Sequence, residues 1–360
     1  MQAEPSKTEP PKRKRRWFQF SLRSLMIFTL LCAICSLWVA RRKEQRRKLR
    51  EAVATIVRSG GTVYYDYDMK AQRQPTGPAW LRSFFGENFF NEVEVAVLPD
   101  FSDAQLGPVD QLTQVRALFL LGPKITDAGL SHLNGHSTLE NLILKGTSVT
   151  DAGLECLEGL TALKCLDLHG TSVTDAGMAH LRRLTKLQVL ELQETRVSGA
   201  ALSDLQGLSE LETLALSGSQ VTDAELTKLN RFAKLQTLVL ERTSVTDSGL
   251  RHLAGLKQLQ ILWLKGTAVT DAGMAHLEEL TQLRELNLAA TKVSDDGLVR
   301  LQGMARLSWL DLSQTNVSDA GLVSLKGFNN LLRLELQKTK VTKAGVKDLR
   351  KVLPNCQIDP

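Results

Sequence analysis

Cysteine is scarce in this chain of 360 residues, and no catalytic signature makes up for it. The five present are Cys32, Cys35, Cys156, Cys165 and Cys356. Their spacing gives neither a disulfide framework nor a zinc set, so the redox compartment stays open. Cys32 and Cys35 sit inside an apolar run and read as small hydrophobes rather than a redox pair. No glycine-rich phosphate loop, G-x-S-x-G elbow or H-E-x-x-H pair occurs. The expectation is a chain without catalytic residues, metal site or cofactor, and not an enzyme. Surplus positive charge is also missing once the N-terminus is set aside. Of 45 Lys/Arg and 39 Asp/Glu, residues 1–58 hold 15 and 4, which leaves 30 and 35 in the remainder, a net of −5. That balance gives no reason to expect nucleic-acid binding there.

What the chain has in abundance is one 24-residue phrase. It is complete as TSVTDAGLECLEGLTALKCLDLHG from Thr147 to Gly170, and it returns with heads at 171, 195, 219, 243, 267, 291, 315 and 339. Eight of these nine heads are Thr and the ninth is Ser219. Looser copies open at Pro99 and Pro123, making about eleven units without insertion to Pro360. A fixed period of this length marks a solenoid. The second half of each unit reads L-x-x-L-x-L, as in Leu163, Leu166 and Leu168, and its end alternates as a strand with one buried face requires. The first half puts Leu154, Leu157 and Leu160 on one stripe of a short helix. Thr150 or Asp151 stands where a side-chain oxygen caps the first free N–H groups, and Asp recurs there at 127, 175, 223, 247, 271, 295 and 319. Glycine two positions on, as at Gly153 and Gly177, lets neighbouring helices approach closely. One such unit cannot bury its leucines alone, and stacking makes the core continuous.

Over roughly residues 99–360 these motifs resemble leucine-rich repeats, whose pattern is L-x-x-L-x-L-x-x-N. Thr or Ser stands in place of that Asn from Thr147 to Thr339, and a ladder of hydroxyl-to-backbone bonds between coils is the expectation. The V-T-D-A-G-L phrase is similar to repeats of bacterial membrane-anchored leucine-rich-repeat proteins and of eukaryotic F-box substrate receptors. The resemblance implies an α/β class fold, a curved leucine-rich-repeat solenoid with parallel strands on the concave side and short helices on the convex side.

Ahead of the repeats, residues 1–16 read as a disordered basic tail. Residues 17–40, WFQFSLRSLMIFTLLCAICSLWVA, read as a single transmembrane helix: 24 residues rise about 36 Å as a helix, against a hydrocarbon core of about 30 Å. Trp17 and Trp38 stand at its boundaries, and Arg23 near one end reaches the headgroups. No clean A-x-A site of a cleaved signal peptide precedes Arg41. Six Lys/Arg lie in residues 1–16 and eight in 41–58, so the positive-inside rule nearly cancels. The short charged tail favours a cytoplasmic N-terminus with the repeats outside, in a single-pass membrane protein. The flanking basic runs also suit anionic headgroups. Residues 41–98 read as a juxtamembrane helix and an N-terminal cap. Leu49, Ala52, Val53, Ile56 and Val57 share one helix face, ended by Gly60-Gly61. The cap follows as a strand at TVYYDYD, a loop over 75–78, an aromatic helix over 79–90 and a strand through Val93, Val95 and Val97. Residues 99–360 are the repeat domain, whose last unit carries Lys343 at the usual Asp position and reads as a C-terminal cap.

His132, His180, His252 and His276 share one repeat position. Helices packed about 8–10 Å apart are too distant for zinc–nitrogen bonds of about 2 Å, so no metal site is expected. Binding is expected on the concave face instead. Of the 27 outward strand positions of nine units, six are acidic and three are Lys/Arg, which disfavours nucleic acid. Trp263 and Trp309 stand out there as binding anchors. Ile261, Lys265, Glu285, Asn287, Asp311, Arg333 and Glu335 complete the candidate partner-binding set. The two tryptophan backbones should lie about 10–12 Å apart with Glu285 and Asn287 between them. The expected function is a membrane-anchored, non-enzymatic scaffold that holds a protein or peptide, and oligomeric state is left open. Two alternatives stay open beside it: a substrate-recognition adaptor of a ubiquitin-ligase type, and a structural envelope protein without a specific ligand. Against the adaptor, an apolar span rather than an F-box-like segment precedes the repeats.

Overall fold

The computed structural model describes residues 22–66 and 91–360. The tail, the start of the apolar run, the loop over 75–78 and the aromatic segment 79–90 lie outside them. The chain divides into two compact units, residues 1–48 and 49–360. Helix α1, Leu22–Arg58, occupies the described part of the first and ends in the second. No break appears near residue 40, where the expected span gives way to the basic run. Arg, Lys, Glu, Gln and Leu fill that junction, all good helix formers, with no Gly or Pro to stop the helix. Among the described residues α1 is the one helix long and apolar enough to cross a membrane. Its Leu25, Phe28, Leu30, Leu37 and Trp38 are exposed.

In the second unit thirteen strands form one sheet in chain order. The first two, β1 (Thr62–Tyr65) and β2 (Val93–Pro99), pair antiparallel, and every later pairing is parallel. Next come β3 (Ala117–Leu121), β4 (Asn141–Ile143), β5 (Cys165–Asp167), β6 (Val189–Glu191), β7 (Thr213–Ala215) and β8 (Thr237–Val239). The sheet closes with β9 (Ile261–Trp263), β10 (Glu285–Asn287), β11 (Trp309–Asp311), β12 (Arg333–Glu335) and β13 (Gln357–Asp359). Register follows the sequence period: Leu286 pairs with Leu262 on one side and Leu310 on the other. These central leucines are fully buried in a cluster that runs from Ile56 to Ile358. Most of the hydrophobic driving force therefore comes from one repeated apolar ladder.

Opposite the sheet, most coils make a single helical turn such as Asp175–Met178, followed by a short 3-10 turn. The coil of Gly199–Gly207 is 3-10 throughout, and the last coil carries the longer helix Lys343–Val352. The cap differs from one expected option. Thr174 is the N-cap, accepting from Ala176 N at 3.3 Å, whereas Asp175 reaches forward into the next coil. There its carboxylate accepts from Ser198 N at 2.6 Å and Ser198 Oγ at 2.5 Å. Asp127 holds Thr150 in the same way, and Asp247 holds Thr270. The aspartates are thus rivets between coils. A Cβ on Gly153 would stand 2.4 Å from Asp127 Oδ1, so at that junction glycine is what lets the carboxylate in. Asp175 makes its bonds to Ser198 beside Ala201, in a coil that is 3-10 throughout. The unit heads differ as well: Thr147 Oγ1 donates to Leu144 O at 2.7 Å, and Thr171 Oγ1 to Leu168 O at 2.7 Å. Both bonds stay inside one coil, closing the turn after the strand. The threonines tie each coil to itself, and the aspartates tie coils together.

Candidate functional site

Each three-residue strand from β4 to β12 contributes two side chains to the face away from the leucines, with a third from the residue two positions on. Where those residues are small, the face sinks between taller neighbours. Ala215 and Ser217 are only 1% and 5% exposed although they point away from the core. Together with Thr213, Thr237 and Val239 they floor a hollow of about 380 Å³, walled by Glu191, Gln193, Glu241 and Trp263. Pointing outward and meeting solvent are therefore different properties on this face.

Trp263, at the edge of the hollow, meets Trp309 from two strands farther along the same face. Their rings close the gap that the backbone spacing leaves: the centroids are 6.1 Å apart with planes tilted by 52°. That is a tilted aromatic pair bridging β10, in place of two separate anchors with polar groups between. Trp309 Nε1 donates to Glu335 Oε1 at 3.4 Å, and Arg333 Nε lies 3.1 Å from the same carboxylate oxygen. Ile261 and Glu285 are half-buried and Lys265 is exposed. Asn287 and Asp311 are 6% and 8% exposed and engage their own surroundings. Asp311 Oδ1 accepts from Ser313 N at 2.8 Å; Asn287 Oδ1 accepts from Ala289 N at 2.9 Å while its Nδ2 donates to Glu241 Oε1 at 3.2 Å. These two residues brace the strand ends rather than offering free polar groups to a ligand.

Neither Glu241 nor Ser217 is among the site residues expected from sequence. Burial pushes the Glu241 carboxyl above its ordinary value, while Lys265 and Arg242 pull it back in part. Glu194 and Arg242 pair at 2.6 Å, spanning the coil of Gly218 between them. A Cβ there would meet the Glu194 carboxylate at 2.9 Å. On β5 beside this region, burial raises the Cys165 thiol to about 11, so it is protonated at neutral pH. The signal the sequence did hold was the run of small residues at 213, 215, 217 and 237. Two of the aligned histidines have local partners: His132 Nδ1 lies 2.8 Å from Asp110 Oδ1, and His180 Nδ1 lies 2.7 Å from Glu158 Oε1.

No curated protein matches the chain in sequence. A family model described as a leucine-rich repeat region matches residues 97–355. Among solved structures, an internalin from Listeria monocytogenes superposes with a TM-score of 0.52 at 22% identity, over 74% of this chain and 86% of its own. A leucine-rich-repeat protein of Leptospira interrogans gives 0.45 at 19% identity, over 70% and 74%. A plant peptide hormone receptor, solved in complex with RGF2, gives 0.45 at 13% identity, over 72% and 45%. At these identities the first likeness speaks to fold alone, and the other two carry no argument. With the family model spanning most of the chain and a sheet whose register advances 24 residues per strand, the chain belongs to the leucine-rich-repeat proteins.

Proposed function

We propose that the protein is a membrane-anchored, non-enzymatic scaffold whose outward sheet face, the concave side of the sequence reading, holds a protein or peptide. The observation that carries this reading is the Trp263–Trp309 pair, half-buried on a sheet face that no other element of the repeat unit covers. Paired aromatics on a wet face bury a large area at small entropic cost, which is how interface anchors work. Family membership supports the scaffold role in general terms. The exposed apolar length of α1 supports anchoring, and residues 17–40 with the flanking basic runs are the proposed membrane contact. The proposed organisation keeps residues 41–98 as juxtamembrane helix and cap and 99–360 as the binding domain, with the repeats outside.

Peptides selected from a displayed library on the full chain in detergent micelles test the reading. Binders that use this face should weaken by about 2 kcal/mol, roughly thirtyfold, when Trp263 or Trp309 is replaced by Ala. The melting temperature should hardly change, because both rings stand off the leucine core. If every selected peptide ignores both substitutions, binding lies elsewhere.

A further inference from the structure

Five buried side-chain polar atoms lack a hydrogen-bond partner among the described residues, and three of them line one hollow: Gln193 Oε1, Ser217 Oγ and Trp263 Nε1. Buried polar groups are nearly always paired, so three orphans in one place call for a common explanation. Charge supplies the second half of it. Glu194 is neutralised by Arg242, yet no cation lies within ion-pair distance of Glu191 or Glu241 among the described residues. Water entering the hollow would satisfy the orphaned atoms and still leave Glu191 and Glu241 without a cation at ion-pair distance, Lys265 and Arg242 acting on Glu241 only from farther off.

We infer that this hollow is a subsite for an arginine side chain carried by an extended peptide, with Glu191 and Glu241 facing the guanidinium and the Trp263 indole N–H donating to a carbonyl of the peptide backbone. The inference rests on the proposed binding role of this face and names what it selects. Hydrogen-bond sense fixes the chemistry. The two carboxylates and Gln193 Oε1 accept, and a guanidinium offers five donors in a planar fork with no acceptor. Ser217 Oγ turns either way. Only the indole N–H seeks an acceptor, and it stands at the end of the hollow nearest β9, where a peptide carbonyl fits. The Trp263 ring also offers a face to a cation. With strands about 4.8 Å apart, the distance from the Gln193 coil to β9 is about 14 Å, too long for one side chain. The chain that carries the arginine must therefore run across the strands, in the direction of the Trp309 ring. Burial that holds the Glu241 carboxyl high is the condition an incoming cation would relieve.

The test uses the full chain in detergent micelles, with ¹⁵N-labelled tryptophan giving one indole signal for each of five residues. Trp263→Phe identifies the relevant signal. The probes are a blocked pentapeptide, acetyl-Gly-Ala-Arg-Ala-Gly-amide, and its citrulline counterpart, which keeps the shape and loses the charge. The arginine peptide should shift the Trp263 signal saturably, and the citrulline peptide should bind at least tenfold more weakly. Glu241→Gln and Glu191→Gln should each weaken the arginine peptide about tenfold and leave the other indole signals in place, which shows the fold intact. Equal binding of the two peptides overturns the inference, as does an arginine response untouched by both Gln variants, or none at millimolar peptide. If selected peptides still depend on Trp309 while the pentapeptide is silent or indifferent to charge, the subsite falls and the scaffold reading stands. If no selected peptide depends on either tryptophan, both fall together.

Discussion

The residue before each unit head adopts the left-handed backbone region in coil after coil. Gly146, Gly170, Gly218 and Gly266 do so at φ 68–70°, but Glu194, Arg242, Ala290, Gln314 and Lys338 do so at φ 54–59°. A side chain there costs about 1–2 kcal/mol in backbone strain, offset by the extra unfolded freedom of glycine, about 0.4–1 kcal/mol. Ala290→Gly should therefore stabilise the repeats by about 0.5–1 kcal/mol, read from a denaturant midpoint; a loss would show that the turn is unstrained. Arg242→Gly should gain less, because it also gives up the pair with Glu194. Glu241 makes the opposite kind of prediction, through pH. Burial raises its folded pKa above 4.5, so the protonated form is the one the fold favours. Its contribution is fully present below the unfolded pKa and is lost as pH rises through the higher folded value. Glu241→Gln should raise the melting temperature at neutral pH and leave it nearly unchanged well below pH 4.5. A drop at neutral pH would mean that the carboxylate is already paired.

Between coils the decisive element is the aspartate rivet, and one junction tests it because it is built differently. Gly199 occupies the Asp position, and Glu225 in the next coil occupies the Gly position. Glu225 Oε2 meets the same two donors from within their own coil, accepting from Thr222 N at 3.2 Å and Thr222 Oγ1 at 2.6 Å, so the inter-coil bond is absent at this junction. A Cβ on Gly199 would meet Glu225 Cβ at 2.2 Å, so the two exceptions require each other. Gly199→Asp alone should destabilise by crowding Glu225. Glu225→Gly alone should cost about 0.5–1.5 kcal/mol by removing the acceptor of the exposed Thr222 donors. The double substitution restores the common rivet and should recover most of both losses, a favourable coupling of about 1 kcal/mol or more in a double-mutant cycle. Simple additivity would refute the rivet. This junction also marks where the sequence stops being legible. The Leu262, Leu286 and Leu310 ladder and the strand register follow from period alone, because only one face of so short a strand can be buried. Whether an aspartate oxygen turns to its own helix or to the next coil depends on how coils stack, which spacing within one unit does not encode. The hollow is hidden for a similar reason: Ser217 and Glu241 are visible as outward positions, but their lack of partners depends on the sizes of neighbours 24 residues away. The meeting of Trp263 and Trp309 likewise depends on side-chain rotation across β10.

At the scale of the whole chain, the question is what holds the repeats where they act. Helix α1 has 37 residues and so rises about 55 Å, well beyond a hydrocarbon core of about 30 Å. Its exposed large apolar side chains, Val57 apart, run from Leu25 to Trp38, after which Arg41, Arg42 and Lys43 begin the basic run. Farther on, Ala52 and Ile56 of the same helix are buried in the second unit, and Ile56 joins the repeat core. One continuous element thus carries the proposed anchor, a charged collar and a packed end. The collar by itself attracts anionic headgroups at about 1 kcal/mol per basic residue, so electrostatic adhesion alone would mimic membrane association. The two are separable because salt screens the collar and not the apolar span. The full chain should stay with the membrane fraction through both high-salt and carbonate washes, whereas residues 49–360 expressed alone should remain in the supernatant. Replacing Leu30 and Leu31 together by Arg should oppose insertion by about 6–8 kcal/mol while leaving the basic collar untouched. If that variant stays membrane-bound in carbonate, or if salt alone releases the unaltered chain, α1 is not an anchor and the collar is the whole of the attachment.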